Sequence, residues 1–490
     1  MELKKKYHTL RMLVKGGIIT PAYFLKILEI ARTAGNTTIS FGSRQDIIFK
    51  LPVELQPQVT AELDKLKIEY AYKQQEIGTM PQNIVSSFVA ADIQGSTQWL
   101  NSGNYIQILD LFEHKHKLRV NIADPRQTMV PLFYGHINFV ASPSKHYWYV
   151  YLRLPEAYEL YQLPFLIYST DIPALAHNIE KLWDTIHTLS AAEIGAEVGA
   201  DKALNTKSID TQLEHPKTFS ADYEGFGRMY ESDKYWAGFY WRNNQYEIRF
   251  LEQMCRLSLD TGLAKIAITP WKSFLVKSIE EKHLMKWQTL LGKNGITMRH
   301  SAFDLNWHLP LDNKKALKLK NHIVRKFDKQ DVCVHGLTFS IMDEPELQFS
   351  SIVIKEHKPS YIPGFMHFLK TYDISYAERF DPNSCIYHYF VEKCTRNELD
   401  VVLSDLIRRF HSQILPEKEV PEIRKNEQTN IKTYQCPDCF SVYLQEIGCP
   451  EQHIAPGTPF AKLPESYCCP VCETAKSAFV VTDKVFKNVG

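Results

Sequence analysis

Apolar positions first recur with a helical period after the double glycine at 16–17. In GGIITPAYFLKILEIARTAGNTTISFGSRQDIIFKLP, Phe24, Leu25, Leu28 and Ala31 fall on one face of a 3.6-residue helix. Thr20 is placed to cap that helix, Pro21 to occupy its first turn and Gly35 to close it. Two short strands follow, around TTISF and DIIFKL, joined by the turn Gly42-Ser43-Arg44-Gln45. The same order returns from Tyr246 in YEIRFLEQMCRLSLDTGLAKIAITPWKSFLVKSI. There Ile248, Leu251, Cys255 and Leu259 make the helical face, Gly262 ends it, and strands AKIAI and FLVKSI flank Thr269-Pro270-Trp271-Lys272. Matched order and length predict a duplicated α+β unit.

Composition narrows the class without choosing a partner. The 490 residues, 44% apolar and 23% charged, are ordinary for a globular chain with room for three or more domains. A net charge of +1 gives no reason to expect nucleic acid. No apolar run reaches membrane-spanning length, and MELKKKYHTLRMLVKGG lacks the apolar stretch of a secretory signal, so a cytoplasmic protein is expected.

Cysteine spacing carries the chemistry. Of ten cysteines, four form the pairs Cys436/Cys439 and Cys469/Cys472, and six (Cys255, Cys333, Cys385, Cys394, Cys449, Cys468) are scattered. A CxxC turn puts two sulfurs on one knuckle of backbone, and two facing knuckles make the tetrahedral thiolate cage that zinc or a single iron accepts. Both pairs hold proline, as Cys-Pro-Asp-Cys and Cys-Pro-Val-Cys. Between and around them stand Pro456-Gly457-Thr458, Phe460, Leu463-Pro464, Tyr467, Tyr434, Tyr443 and Phe479. Throughout residues 433–480 this pattern resembles rubredoxin. The resemblance implies one iron cycling between ferric and ferrous states in a small aromatic core. Rubredoxins usually carry glycine after the second cysteine of each pair; Phe440 and Glu473 stand there instead, each at a strain of about 1 kcal/mol if φ is positive.

Upstream, ILPEKEVPEIRKNEQTNIKT reads as a linker over 413–432, with a span of about 25 Å if it behaves as a flexible coil. The duplicated region, with its GG-x-x-TP start and its Arg-Gln turn, resembles the ferredoxin-like half-domain of siroheme-dependent nitrite and sulfite reductases. That resemblance runs over about residues 8–412. It implies half-domains at 8–80 and 225–310, each with an α/β lobe, at 81–195 and 311–412, before a rubredoxin domain at 433–483. The family holds a four-iron cluster on C-x5-C and C-x3-C motifs, and neither motif exists here. Residues 1–254 contain no cysteine, and the stretch resembling the second motif reads Asp124-Pro125-Arg126-Gln127-Thr128. A 4Fe–4S cluster is therefore not expected. Siroheme is allowed but not expected. Its carboxylates would call on Arg44, Gln45, Arg126 and Lys272, whose plain alternative is solvated or structural charge. His136, His300 and His308 are alternative axial ligands.

Three functions compete. The first is an electron carrier, with a reductase as donor and a nitrite or sulfite reductase as acceptor. The second is a siroheme oxidoreductase in which the fused iron site replaces the cluster. The third is a zinc-stabilised scaffold.

Overall fold

The computed structural model describes residues 6–72, 80–154, 160–189, 191–216, 223–311, 313–342, 349–357, 370–384, 386–414, 433–445 and 447–482. In it the first helix spans Pro21–Thr33. Thr20 Oγ1 accepts from the Tyr23 amide at 3.3 Å, and Gly35 leaves the helix at φ 84°. Phe24, Leu28 and Ala31 face the core and Leu25 is half-buried. Strands Thr38–Phe41 and Ile47–Pro52 follow. In the second copy the helix is Ile248–Asp260, and the strands are Ile266–Ile268 and Ser273–Ile279. Gln45 and Lys272 close equivalent turns at φ 58° and 59°. One expected core residue is not one: Leu259 is 47% exposed. Ser258 turns inward in its place, its hydroxyl donating to Met254 O at 2.9 Å, because a donor with a backbone acceptor can be buried at little cost.

The two copies are welded by a reciprocal exchange. Ile18–Ile19, just before the first helix, pairs with Ile266–Ile268 of the second copy. Tyr246–Glu247, just before the second helix, pairs with Thr38–Phe41 of the first. Asn244 extends that seam, accepting from the Phe41 amide and donating to the Phe41 carbonyl. Neither copy can therefore complete its sheet alone, and the two share one core. At its centre Phe41 lies 4.8 Å from Tyr246 and 5.6 Å from Phe274, ring to ring.

Duplication extends into the lobes. In the first, Val85–Ser86, Val120–Ala123 and Ile137–Ala141 run parallel, and Tyr147–Arg153 and Phe165–Tyr168 continue the sheet antiparallel. In the second, Trp307–His308, Phe339–Met342 and Ile352–Glu356 run parallel before antiparallel Thr371–Ala377 and Tyr387–Thr395. The first crossover of each carries a helix, Ser102–Asp110 or Lys314–Gln330, as parallel pairing requires. A further helix follows each antiparallel set, Ile172–Leu182 or Leu399–Ile414. Val120–Ala123 and Ile137–Ala141 are buried along their whole length, the mark of strands covered on both faces.

The chain divides into two compact units, Met1–Leu415 and Pro416–Gly490. The smaller has a three-stranded sheet of Val442–Tyr443, Thr433–Gln435 and Val480–Thr482. Most of the expected linker, 415–432, lies outside the described residues, as does Cys385. Among the described residues no helix is long and apolar enough to cross a membrane.

Candidate metal centre

The small unit brings Cys436, Cys439, Cys469 and Cys472 together, their sulfurs all within 4.8 Å of one another. Cys436 Sγ lies 3.5 Å from Cys472 Sγ, and Cys439 Sγ lies 3.4 Å from Cys469 Sγ. A disulfide would need about 2.05 Å. A tetrahedron with metal–sulfur bonds of about 2.3 Å has an edge of about 3.8 Å, so the spacing is that of a single-ion cage. Cys436 and Cys469 are buried, Cys439 is half-buried and Cys472 is exposed. One edge of the cage therefore reaches the surface, flanked by the exposed side chains of Phe440 and Val471. Behind it Tyr434 stacks on Phe460 at 4.0 Å, and Tyr443, Tyr467 and Phe479 close round that ring.

In the large unit the residues singled out from the sequence fall into pairs, Arg44 near enough to His136 and Lys272 near enough to His308 for each charge to act on the imidazole. Arg44 is buried and committed to protein acceptors: Nη1 donates to Asn121 Oδ1 at 2.6 Å, and Nη2 to Asn83 O at 2.8 Å and Val120 O at 2.9 Å. Burial and the neighbouring Arg119 lower its pKa to about 9. Gln45 spends both ends of its amide, donating to Ser86 O and Ile268 O and accepting from the Ser86 amide. Lys272 donates to Leu309 O at 2.7 Å, and burial, followed by repulsion from Lys320, lowers its pKa to about 8. The equivalent residues Gln45 and Lys272 thus tie each half-domain to the first strand of its own lobe or the residue just after it. Arg126 is exposed. Its amide donates to Asp124 Oδ1, whose carboxylate also takes the Thr97 amide and hydroxyl, so the Asp124 side chain braces this loop.

Each candidate histidine has its own partner within the protein. His136 accepts from the Arg119 amide, His300 meets Glu224 at 2.8 Å, and His308 packs on Trp271 at 4.2 Å. Burial holds His136 and His308 at about 3, both neutral. Cys255 and Cys394 occupy two different apolar cores.

Comparison with known proteins places both units. Residues 433–479 match the family Rubredoxin, and residues 1–66 match the Nitrite/Sulfite reductase ferredoxin-like half domain. A probable rubredoxin of Methanothermobacter thermautotrophicus is 41% identical over 59 residues, which are 12% of this chain and 94% of that protein. Through this domain the chain belongs to the rubredoxin family. The high molecular weight rubredoxin of Moorella thermoacetica is 48% identical over 58 residues, 11% of this chain and a quarter (25%) of that protein. The NirA protein of Mycobacterium tuberculosis shares the fold, with a TM-score of 0.65 at 14% identity over 85% of this chain and 83% of that one.

The rubredoxin cysteines fit one iron, and residues outside the cage shape them. Each knuckle repeats the same bonds: Phe440 N donates to Cys436 O and Glu473 N to Cys469 O, while the Cys436 and Cys469 amides donate to Ser441 O and Thr474 O. Ser441 Oγ lies 3.0 Å from Cys469 Sγ, and Thr474 Oγ1 lies 3.1 Å from Cys472 Sγ. Burial opposes ionisation of Cys469, but hydrogen bonds from Ser441 and the Val471 and Cys472 amides outweigh it and bring the thiol down to about 6. Ser441 and Thr474 escaped the sequence reading, although each stands two residues past a CxxC. Phe440 and Glu473 do take positive φ, 61° and 62°. Replacing either with glycine should stabilise the domain by about 1 kcal/mol, read as a higher temperature for loss of its visible band.

Lys277 also went unread. Its ammonium donates to Phe88 O and Ala91 O and sits 3.9 Å over the Phe88 ring. Burial lowers its pKa to about 7, whereas an unfolded lysine titrates near ~10.4. Between those values the unfolded chain holds a proton that the folded chain has lost, so stability should rise with pH from about 7 to about 10. Denaturant melts across that range check the slope, and Lys277→Met should reduce it, most of all between about 7 and 8, with Lys272 keeping its own share above about 8.

Proposed function

We propose that the chain is a one-electron carrier: the large unit docks on a redox partner of nitrite or sulfite reduction, and the rubredoxin domain delivers the electron. The observation that carries this reading is the closed four-thiolate cage with its Cys439 and Cys472 edge at the surface. Iron in such a cage supplies a ferric/ferrous couple with no position open to substrate. The protein does the rest. Cys439 and Cys472 bring the site to the boundary, Phe440 and Val471 offer apolar contact around it, and the Ser441 and Thr474 hydroxyls stabilise thiolate charge. In the large unit, the Gln45 amide and both Nη atoms of Arg44 are taken up by the protein itself, which suits a docking body, while Arg44 Nε is buried with no hydrogen-bond partner among the described residues.

A specific observation favours a second reading, a siroheme-binding oxidoreductase. Arg44, buried, and Lys272, half-buried, are positive charges whose hydrogen-bond acceptors are neutral oxygens, an environment that an anionic ligand would relieve. One experiment separates the two. The purified protein, reduced anaerobically, is mixed with nitrite or sulfite, first alone and then with a purified siroheme reductase. A rubredoxin-type spectrum without a Soret band, one electron taken up per chain, and reoxidation only when the reductase is present support the carrier. A Soret band, or direct reoxidation by nitrite or sulfite, overturns it in favour of the enzyme. Zinc standing in place of iron in the cysteine cage of protein purified from its native cell, seen as a missing iron content and no visible band, overturns both.

A further inference from the structure

Far along the chain from the cysteines, histidines converge on one carboxylate in the first lobe. The segment Glu113-His114-Lys115-His116-Lys117 follows the helix Ser102–Asp110 and lies against the helix Ile172–Leu182. On that second helix His177 and Glu180 are spaced i, i+3, which puts them on one face. Ligand atoms of His114, His177 and Glu180 all lie within 4.8 Å of one another. The His114 and His177 rings are 4.6 Å apart, and His114 Nε2 is 3.6 Å from Glu180 Oε2.

Two further contacts aim the carboxylate. His116, buried, meets Glu180 Oε2 through Nδ1 at 2.9 Å, and the Lys117 amide donates to Glu180 Oε1 at 2.7 Å. His177 Nδ1, by contrast, is enclosed and has no hydrogen-bond partner. A buried imidazole nitrogen left unpaired calls for an explanation, and a metal bond is one. Protonation states agree with this. Burial, followed by the charge of Lys181, lowers the pKa of His177 and keeps the ring neutral. Burial works against ionisation of Glu180, but the bonds from His116 and Lys117 prevail and lower its pKa.

We propose that His114, His177 and Glu180 form a second metal site for a divalent ion of the zinc class, with His116 as the positioning residue for Glu180. Two imidazole nitrogens and one carboxylate oxygen suit zinc and its late first-row neighbours, whereas magnesium and calcium prefer oxygen throughout. His114 lies at the surface, so water completes the coordination there. The ion would bolt the segment after the helix Ser102–Asp110 to the helix Ile172–Leu182, some 60 residues later in the chain.

The test uses the full-length protein with its rubredoxin cage already filled by iron, titrated with zinc while heat and the visible band are followed together. Binding of one zinc per chain with the iron band unchanged is expected. His177→Ala should weaken that binding at least 100-fold. His116→Ala should weaken it about 10–100-fold with the stoichiometry kept, the usual cost of losing an outer partner. Because His114 is exposed, His114→Ala should fold normally and still lose at least tenfold. Cobalt in place of zinc should give weak visible bands without sulfur charge transfer. Absence of zinc uptake beyond the cage, zinc that bleaches the iron band, or wild-type affinity in folded His114→Ala and His177→Ala would each overturn the site.

Discussion

Cys439→Ser should bleach the protein and unfold residues 433–482 while the large unit melts as before. The domain matched as rubredoxin covers 433–479, and among the described residues its buried apolar cluster is Tyr443, Cys449, Phe460, Leu463 and Tyr467. Domains this small rarely stand on their cores alone and depend on a metal or disulfide staple. Loss of one thiolate opens the cage and removes the bond between the two knuckles, Cys436–Cys439 and Cys469–Cys472. Iron retention should fall by more than the roughly 10–100-fold that loss of an outer-shell partner costs. Visible absorption reports the iron, and calorimetry reports the melting of the large unit. A variant that kept its full colour would refute a four-cysteine site.

The second large effect lies at the seam of the duplicated half-domains. Phe274 is fully buried and packs its ring 5.6 Å from Phe41, 5.0 Å from Phe239 and 5.7 Å from Tyr246. Truncation to alanine leaves a cavity shared by both copies, and neither can repack without its partner. Phe274→Ala should cost the large unit about 3–5 kcal/mol. Leu259→Ala, on the same half-domain but exposed, should stay within about 0.5 kcal/mol of the parent. Denaturant midpoints of the large unit compare the two, and the rubredoxin band should survive in both because its core is separate. Equal losses at the two positions would mean that the exchanged seam does not hold the copies together.

Local chemistry was legible from residues close in sequence. The Thr20 cap, the Gly35 and Gly262 stops and the two four-residue turns depend on neighbours within a helical turn or a hairpin. The cysteine knuckles were equally plain, because a CxxC spacing dictates its own geometry and the positive φ of Phe440 and Glu473 follows from the same turn. Leu259 shows the limit of such reading. A helical period names a stripe, but the neighbour that covers the stripe decides where it ends, and here Ser258 is covered and Leu259 is not.

What the chain encodes alone, then, is its repeated helix-turn-strand units and a thiolate cage, since both are fixed by short-range spacing. Tertiary structure decided the reciprocal strand exchange and the duplication of the lobes. It also decided the commitments of Arg44, Gln45 and Lys272, which are side chains that any surface could have carried. Those outcomes rest on partners far away in sequence: Gln45 meets Ile268 across 223 positions, and Asn244 meets Phe41 across 203. Burial of a polar group is settled only when such a distant partner arrives to satisfy it, and no periodicity announces which one that will be.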